Sequence, residues 1–162
     1  MTPETVDRVL LQDFVAEEAR LLDEGLFDAW DTLFADDGWY WLPASPGFTD
    51  PLHQASHLYD DRLLRSVHLQ RLRSERAHSQ QPPGRCHHLL QTSQVLLHDA
   101  AANRFVLRTP FVYTELRGGR TTQLPGTARH ELRATDHGLR IVLKRVELLH
   151  ADTALAAVEF YI

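Results

Sequence analysis

The sequence predicts an α+β domain, helical in its first half and built of antiparallel strands in its second. Three observations carry that expectation. Apolar residues recur near the helical period between Val6 and Leu22. Beyond Arg85 the pattern changes to strand-like runs separated by short turn signals such as Gly118-Gly119 and Asp136-His137-Gly138. The helices precede the strands instead of alternating with them, which points away from a doubly wound sheet. At 162 residues a single domain, 1–162, is expected, with 1–78 mainly helical and 85–162 mainly strands. A chain of that length buries roughly 70% of its unfolded surface and needs no disulfide or metal to hold it together.

Thr2, Pro3 and Glu4 read as a helix start: a hydroxyl cap, a proline in the first turn and an acid at the positive end of the dipole. Val6, Leu10, Phe14 and Leu21 define the expected apolar stripe, with Val9 and Leu22 beside it and Glu17 interrupting it. Gly25 is the expected left-handed cap. Phe27, Trp30 and Leu33 suggest a second, short helix over about 27–34. Asp36-Asp37-Gly38 reads as a turn before a short aromatic strand, 39–43, in which Trp39 and Trp41 share one face and Tyr40 the other. If both faces are apolar, a neighbouring subunit is expected to cover one. Residues 44–56 read as loop. Asp60 or Asp61 is expected to cap a third helix running to about Ala77, with Leu63, Leu64, Val67 and Leu72 near one side, and 79–84 to break it. Five strands are expected at 86–98, 103–117, 121–135, 139–150 and 154–162. Pro110 and Pro125 suggest edges or bulges. A curved sheet wrapped on the first helix would form a cone with an interior pocket.

Composition narrows the function classes. The chain has 17 basic and 22 acidic residues, a net charge of -5, so no nucleic-acid partner is expected, since such binding neutralises phosphates. Sixteen of the bases are Arg and only Lys144 is lysine, a bias that a GC-rich gene also produces. No apolar run approaches the ~20 residues of a membrane helix, and the N-terminus lacks the order of a signal peptide. No membrane association and a cytoplasmic location are expected. With Cys86 as the sole cysteine, an internal disulfide, a multi-cysteine zinc site and an iron–sulfur cluster are excluded. The common phosphate-binding glycine motifs and the nucleophile elbow are absent.

Three stretches together resemble the small (β) subunit of aromatic-ring-hydroxylating dioxygenases. The first is Phe14-Val15-Ala16-Glu17-Glu18-Ala19-Arg20-Leu21-Leu22-Asp23, followed by Trp30, Leu33, Asp37, Tyr40 and Pro43. The second is Tyr59-Asp60-Asp61-Arg62, then Arg71-Leu72-Arg73-Ser74, Pro82-Pro83-Gly84-Arg85 and His88. The third runs over 129–145 with Gly138, followed by Phe160. His68 and His87 depart from the family's usual arginines, and Gly84 from its usual serine. The resemblance implies the cone-shaped fold shared with nuclear transport factor 2, bacterial ketosteroid isomerases and polyketide cyclases (nuclear transport factor 2-like, or cystatin-like). It implies a mainly structural chain, β–β contacts in a homotrimer, and an α subunit partner in an α3β3 assembly. The Rieske 2Fe-2S cluster and mononuclear iron are expected in that α subunit, with electrons coming from a nicotinamide cofactor, and no cofactor is expected in this chain. A Rieske centre needs two Cys and two His, so one cysteine agrees with that assignment.

Chemistry in this chain is weighed against structural roles. His53 and His57 have a helical ligand spacing, but they lie in the Pro-containing loop without an acidic third ligand and read as surface or packing residues. His87 and His88 are adjacent, so on a strand they face opposite sides. The alternative function is a free-standing isomerase, dehydratase or cyclase on the same cone, using a pocket acid/base pair. Its candidates are Asp31, Asp37, Tyr40 and His88. The structural reading makes Asp37 part of a turn, Tyr40 core and His88 a satisfied hydrogen-bond partner, with no catalytic or metal residue. Arg62, Arg65, Arg71, Arg73 and Arg76 read as a solvated helix face or an assembly surface.

Overall fold

The structure is a computed structural model and describes residues 1–78, 84–153 and 161–162. Most of the expected break at 79–84, and all but the last two residues of the expected strand 154–162, lie outside the described residues. Helix α1 (Arg8–Asp23) begins later than the sequence suggests. Thr2 makes no side-chain cap, Pro3–Thr5 form a single 3-10 turn, and Asp7 caps α1 instead, its carboxylate accepting from Leu10 N at 2.8 Å. The C-terminus is a Schellman motif around Gly25, whose φ is 70°. Leu26 N donates to Leu21 O (2.8 Å) and Gly25 N to Leu22 O (3.0 Å). The buried stripe is Leu11, Val15, Glu18 and Leu22, rotated by about one residue from the expected one; Glu17 is exposed and Glu18 is inside.

Helix α2 (Phe27–Asp31) is short and delivers Trp30 to the core. Strand β1 (Phe34–Pro43) starts before Asp36-Asp37-Gly38, so the expected turn is an irregularity within a strand. Strand β2 (Ser56–Asp60) takes the last residue of the expected loop and lies mostly in a stretch to which the sequence assigns no element, so the first half supplies two strands of the sheet. Helix α3 (Arg62–His78) is capped by Asp61, which accepts from Leu64 N at 2.9 Å. Its buried face is Arg65, Leu69 and Leu72, while Leu63, Leu64 and Val67 face outward.

The expected strand 86–98 is two strands, β3 (Arg85–Leu90) and β4 (Gln94–Asp99), both paired with β5 (Arg104–Arg117). Strands β6 (Arg120–Thr135) and β7 (Gly138–Leu148) complete a curved sheet in the order β2-β1-β7-β6-β5-β3, with β4 beside β5. All pairs are antiparallel except β1–β7. Pro110 and Pro125 do not interrupt the β5–β6 register. In an antiparallel strand a residue's N and O face the same neighbour. Pro110 O accepts from Gln91 N, and Pro125 O from Leu149 N. Each proline's missing N–H therefore points where the neighbouring strand has ended, between β3 and β4 or beyond β7.

A bulge at Val142 has larger consequences. Glu131 pairs with Leu143 and Leu132 with Ile141, so Val142 has no partner on β6. Leu139 and Ile141 face the core before it; Lys144, Val146 and Leu148 face the core after it. One extra residue has switched the parity of the strand and turned a lysine inward.

Arg65 is 1% exposed, against the expectation of a solvated arginine face. Its Nε donates to Asp31 (2.8 Å), its Nη1 donates to Gly38 O (2.7 Å), and its guanidinium stacks over Phe34 at 4.0 Å. It thus joins α3, α2 and the irregular part of β1 through one planar fork. Gly38 is required there by space: a Cβ would lie 2.5 Å from Ile141 O and 2.9 Å from Ala35 O. Gly38→Ala is expected to destabilise the fold by about 1–3 kcal/mol, read as a lower urea midpoint with an unchanged m-value.

Candidate functional site

The concave side of the sheet, closed by α1 and α2, is where a cone fold would hold a ligand. Trp30 fills much of it, stacked on Tyr161 (4.7 Å between centroids) and edge-on to Phe34 and Tyr40. Tyr40 is fully buried, and its hydroxyl donates to Ile162 O at 3.1 Å and accepts from Ile162 N at 3.2 Å. Burial pushes its phenol well above the ordinary range. Tyr161 in turn donates to the buried Asp60 at 2.8 Å, and His68 Nδ1 lies 2.7 Å from the same carboxylate.

At the centre stands a buried polar cluster. Glu18 from α1, His130 from β6 and Lys144 from β7 are each no more than 2% exposed. Glu18 Oε1 accepts from Lys144 Nζ at 2.6 Å and from Trp30 Nε1 at 2.5 Å. His130 Nε2 stands 3.6 Å from Glu18 Oε2, an ion-pair separation without a hydrogen bond. Burial opposes ionisation of Glu18 most strongly, yet the Lys144 ammonium, with His130 beside it, overcomes it and holds the carboxyl far below the usual range. His130 is lowered from its ordinary 6.5, first by burial and against the pull of Glu18.

His88 reaches the same interior from β3. Asp23, at the end of α1, accepts from His88 N through both oxygens (3.1 and 3.0 Å) and from His88 Nδ1 at 2.7 Å. His87, on the opposite face, is 72% exposed and touches Asp23 only at 3.3 Å. The space left between Val15, Glu18, His88, Thr109, His130 and Lys144 is a cavity of about 10 Å³, room for about one water and no organic substrate. A larger open depression of about 750 Å³, bordered by Leu89, Pro125 and Leu149, shares Leu90 and Phe111 with this cavity as walls.

The sequence-derived candidates do not form one site. Tyr40 and His88 are inside, but each is committed to a structural partner. Asp37 is outside, 63% exposed, and takes both Arg133 Nη groups (2.5 and 3.0 Å), which hold its carboxyl below the usual range. Asp31 binds Arg65. His53 pairs with Asp50, and His57 Nε2 meets Ala151 O at 2.8 Å, so the two rings serve different partners. Trp39 and Trp41 share a face as expected, covered within the chain: Trp39 stacks on Tyr59 at 4.2 Å, and Trp41 lies under Arg145 at 4.7 Å and bonds Ser56. Among the described residues no group of three or more His, Cys, Asp or Glu is arranged to hold a metal, and no helix is long and apolar enough to cross a membrane.

Sequence reasoning missed Glu18, His130 and Lys144 as a group. The signals were a charged residue on the 11-15-18-22 stripe and the solitary lysine; the bulge that pairs them left no mark in the alternation. Lys144→Met strands the buried carboxylate and is expected to destabilise the chain by about 3–5 kcal/mol, with Glu18→Gln/Lys144→Met recovering part of that loss in urea titration. Acid sensitivity follows from the same cluster. The native state resists protonating His130, so stability is complete above its ordinary 6.5 and declines as pH falls below it. Glu18 adds stability present above its ordinary 4.5 and lost below it. Urea midpoints measured from pH 8 to pH 3 are expected to fall in that order, with the first decline reduced in His130→Phe.

Comparison with known proteins places this architecture. The curated small oxygenase component of the p-cumate 2,3-dioxygenase system of Pseudomonas putida is 29% identical over 142 residues, 86% of this chain and 78% of that protein. The β subunit of benzoate 1,2-dioxygenase from Burkholderia mallei superposes with a TM-score of 0.80 at 23% identity, covering 97% of this chain and 99% of the other. A nuclear transport factor 2-like protein with a cystatin-like fold from Novosphingobium aromaticivorans superposes with a TM-score of 0.59 at 22% identity, covering 88% and 82%. The two superpositions establish the nuclear transport factor 2-like fold. The family profile described as the ring hydroxylating beta subunit matches residues 17–153. The chain belongs to the ring-hydroxylating β subunit family.

Proposed function

We propose that this chain is the structural, non-catalytic subunit of an aromatic-ring-hydroxylating dioxygenase used in aromatic catabolism, and that it supports an iron-containing α subunit in a cytoplasmic α3β3 complex. The observation that carries the reading is the filled interior. Glu18, the acid at the cone's centre, is consumed by Lys144 and Trp30, and the remaining cavity of about 10 Å³ admits no aromatic substrate. A proton-transfer enzyme on this fold needs an accessible acid or base beside substrate-sized space. With one cysteine, the chain lacks the ligands of a Rieske centre, which supports assigning the 2Fe-2S cluster and the mononuclear iron to the partner. Leu63, Leu64, Val67, Leu89 and Leu149 are exposed apolar side chains available to subunit contacts. The p-cumate relative makes an aromatic carboxylic acid the first substrate class to try.

Co-expression with the Rieske α subunit tests the proposal. The expected outcome is a complex that carries the cluster's visible absorption and dihydroxylates an aromatic carboxylic acid when supplied with its reductase, while this chain alone does neither. Light scattering on the isolated chain is expected to give about three times 18.6 kDa. A stable monomer or dimer that turns over a substrate by itself would transfer the assignment to the isomerase, dehydratase or cyclase class.

A further inference from the structure

We infer that the closed interior is a binding site for one water molecule, which joins His88 on β3 to His130 on β6. The cavity of about 10 Å³ is bordered by both rings and by Thr109. The His88 and His130 side chains are 3% and 1% exposed. Among the described residues none hydrogen-bonds His88 Nε2 or either ring nitrogen of His130. Two such rings beside one small space are a costly arrangement unless something bonds them, because an unsatisfied buried polar group loses about 1–3 kcal/mol of hydration without replacement; one water reaches one nitrogen of each ring.

The chemistry of the walls selects the ligand. Asp23 can only accept, so His88 Nδ1 donates to it, and in the neutral ring Nε2 presents a lone pair. His130 is held toward its neutral form, with one donor and one acceptor nitrogen. A cation in the cavity would face the Lys144 ammonium, and an anion would face the Glu18 carboxylate. A neutral molecule that both donates and accepts fits, and the volume limits it to about one water. Donating to His88 Nε2, with His130 and the Thr109 hydroxyl as further partners, it has the two to four polar contacts an internal water requires. The water links β3, at the edge of the sheet, to the charged centre.

A crystal structure at a resolution that places ordered waters, compared with the His130→Phe variant, tests this. The expected result is one peak within about 2.7–3.2 Å of His88 Nε2 and of a His130 nitrogen, lost in His130→Phe. Absence of a peak in the parent protein, or an unchanged peak in the variant, overturns the assignment. If His130→Phe does not fold, Ala128→Val fills the same cavity from its wall, and the expected result is again loss of the peak. Persistence of the peak there overturns the proposal equally.

Discussion

The buried contact between Glu18 and Lys144 is the constraint on which the rest of the interior depends. A carboxylate removed from water is tolerated only with a counter-charge and satisfied lone pairs. Here the counter-charge comes from β7 and a further donor from Trp30. Sliding α1 by one turn against the sheet would leave an acid and an ammonium buried without each other. The pair therefore acts as a register pin, whatever its net contribution to stability. Trp30 inherits its orientation from the same carboxylate, and the rings of Phe34, Tyr40 and Tyr161 pack around Trp30. One charge in the helix thus organises the aromatic plug that closes the cone.

That closure separates this protein from what its scaffold can do elsewhere. A cone fold offers a sheltered pocket, and here Glu18, Lys144, Trp30 and Tyr40 spend their polar groups on structural partners. Asp23 staples the edge strand β3 through the backbone and ring of His88, Arg65 clamps α3 onto β1, and Tyr40 holds the backbone of Ile162. Of the side chains that a catalytic reading would recruit, Asp31, Asp37, Tyr40 and His88 each already fix one element against another. Under the proposed function, chemistry in the assembled system falls to a partner, and this chain contributes shape and surface.

The order of the helices and of β5, β6 and β7 was legible in the sequence because turn chemistry marks it directly: Gly25 ends α1, Asp61 starts α3, and Gly118-Gly119 divides β5 from β6. The errors share a cause, which is that local pattern does not report tertiary pairing. Asp36-Asp37-Gly38 has turn composition, yet β7 pairs on both sides of it and keeps it within a strand. Arg65 belongs to a basic helix, and only the folded chain shows Asp31 and Gly38 O converging on it. The polar centre was hidden most completely. Its helix residue was displaced by one from the expected stripe, and Lys144 reaches the core through a bulge that alternation cannot reveal. The family resemblance, by contrast, rests on residues spread through the whole chain and did not require the site to be found.

The separation in sequence between Glu18 and Lys144, 126 positions, also governs how the protein is made. At about 5–20 residues per second, α1 leaves the ribosome roughly 6–25 s before the strand that neutralises its buried acid. Through that interval Leu11, Val15 and Leu22 have no finished core to enter, and Tyr40 waits on Ile162, 122 positions later. Native closure accordingly waits on β7 and Ile162, and until they emerge the nascent chain is exposed to chaperones and to premature association. A subunit organised this way can present a finished surface to a partner only after its last strand has emerged.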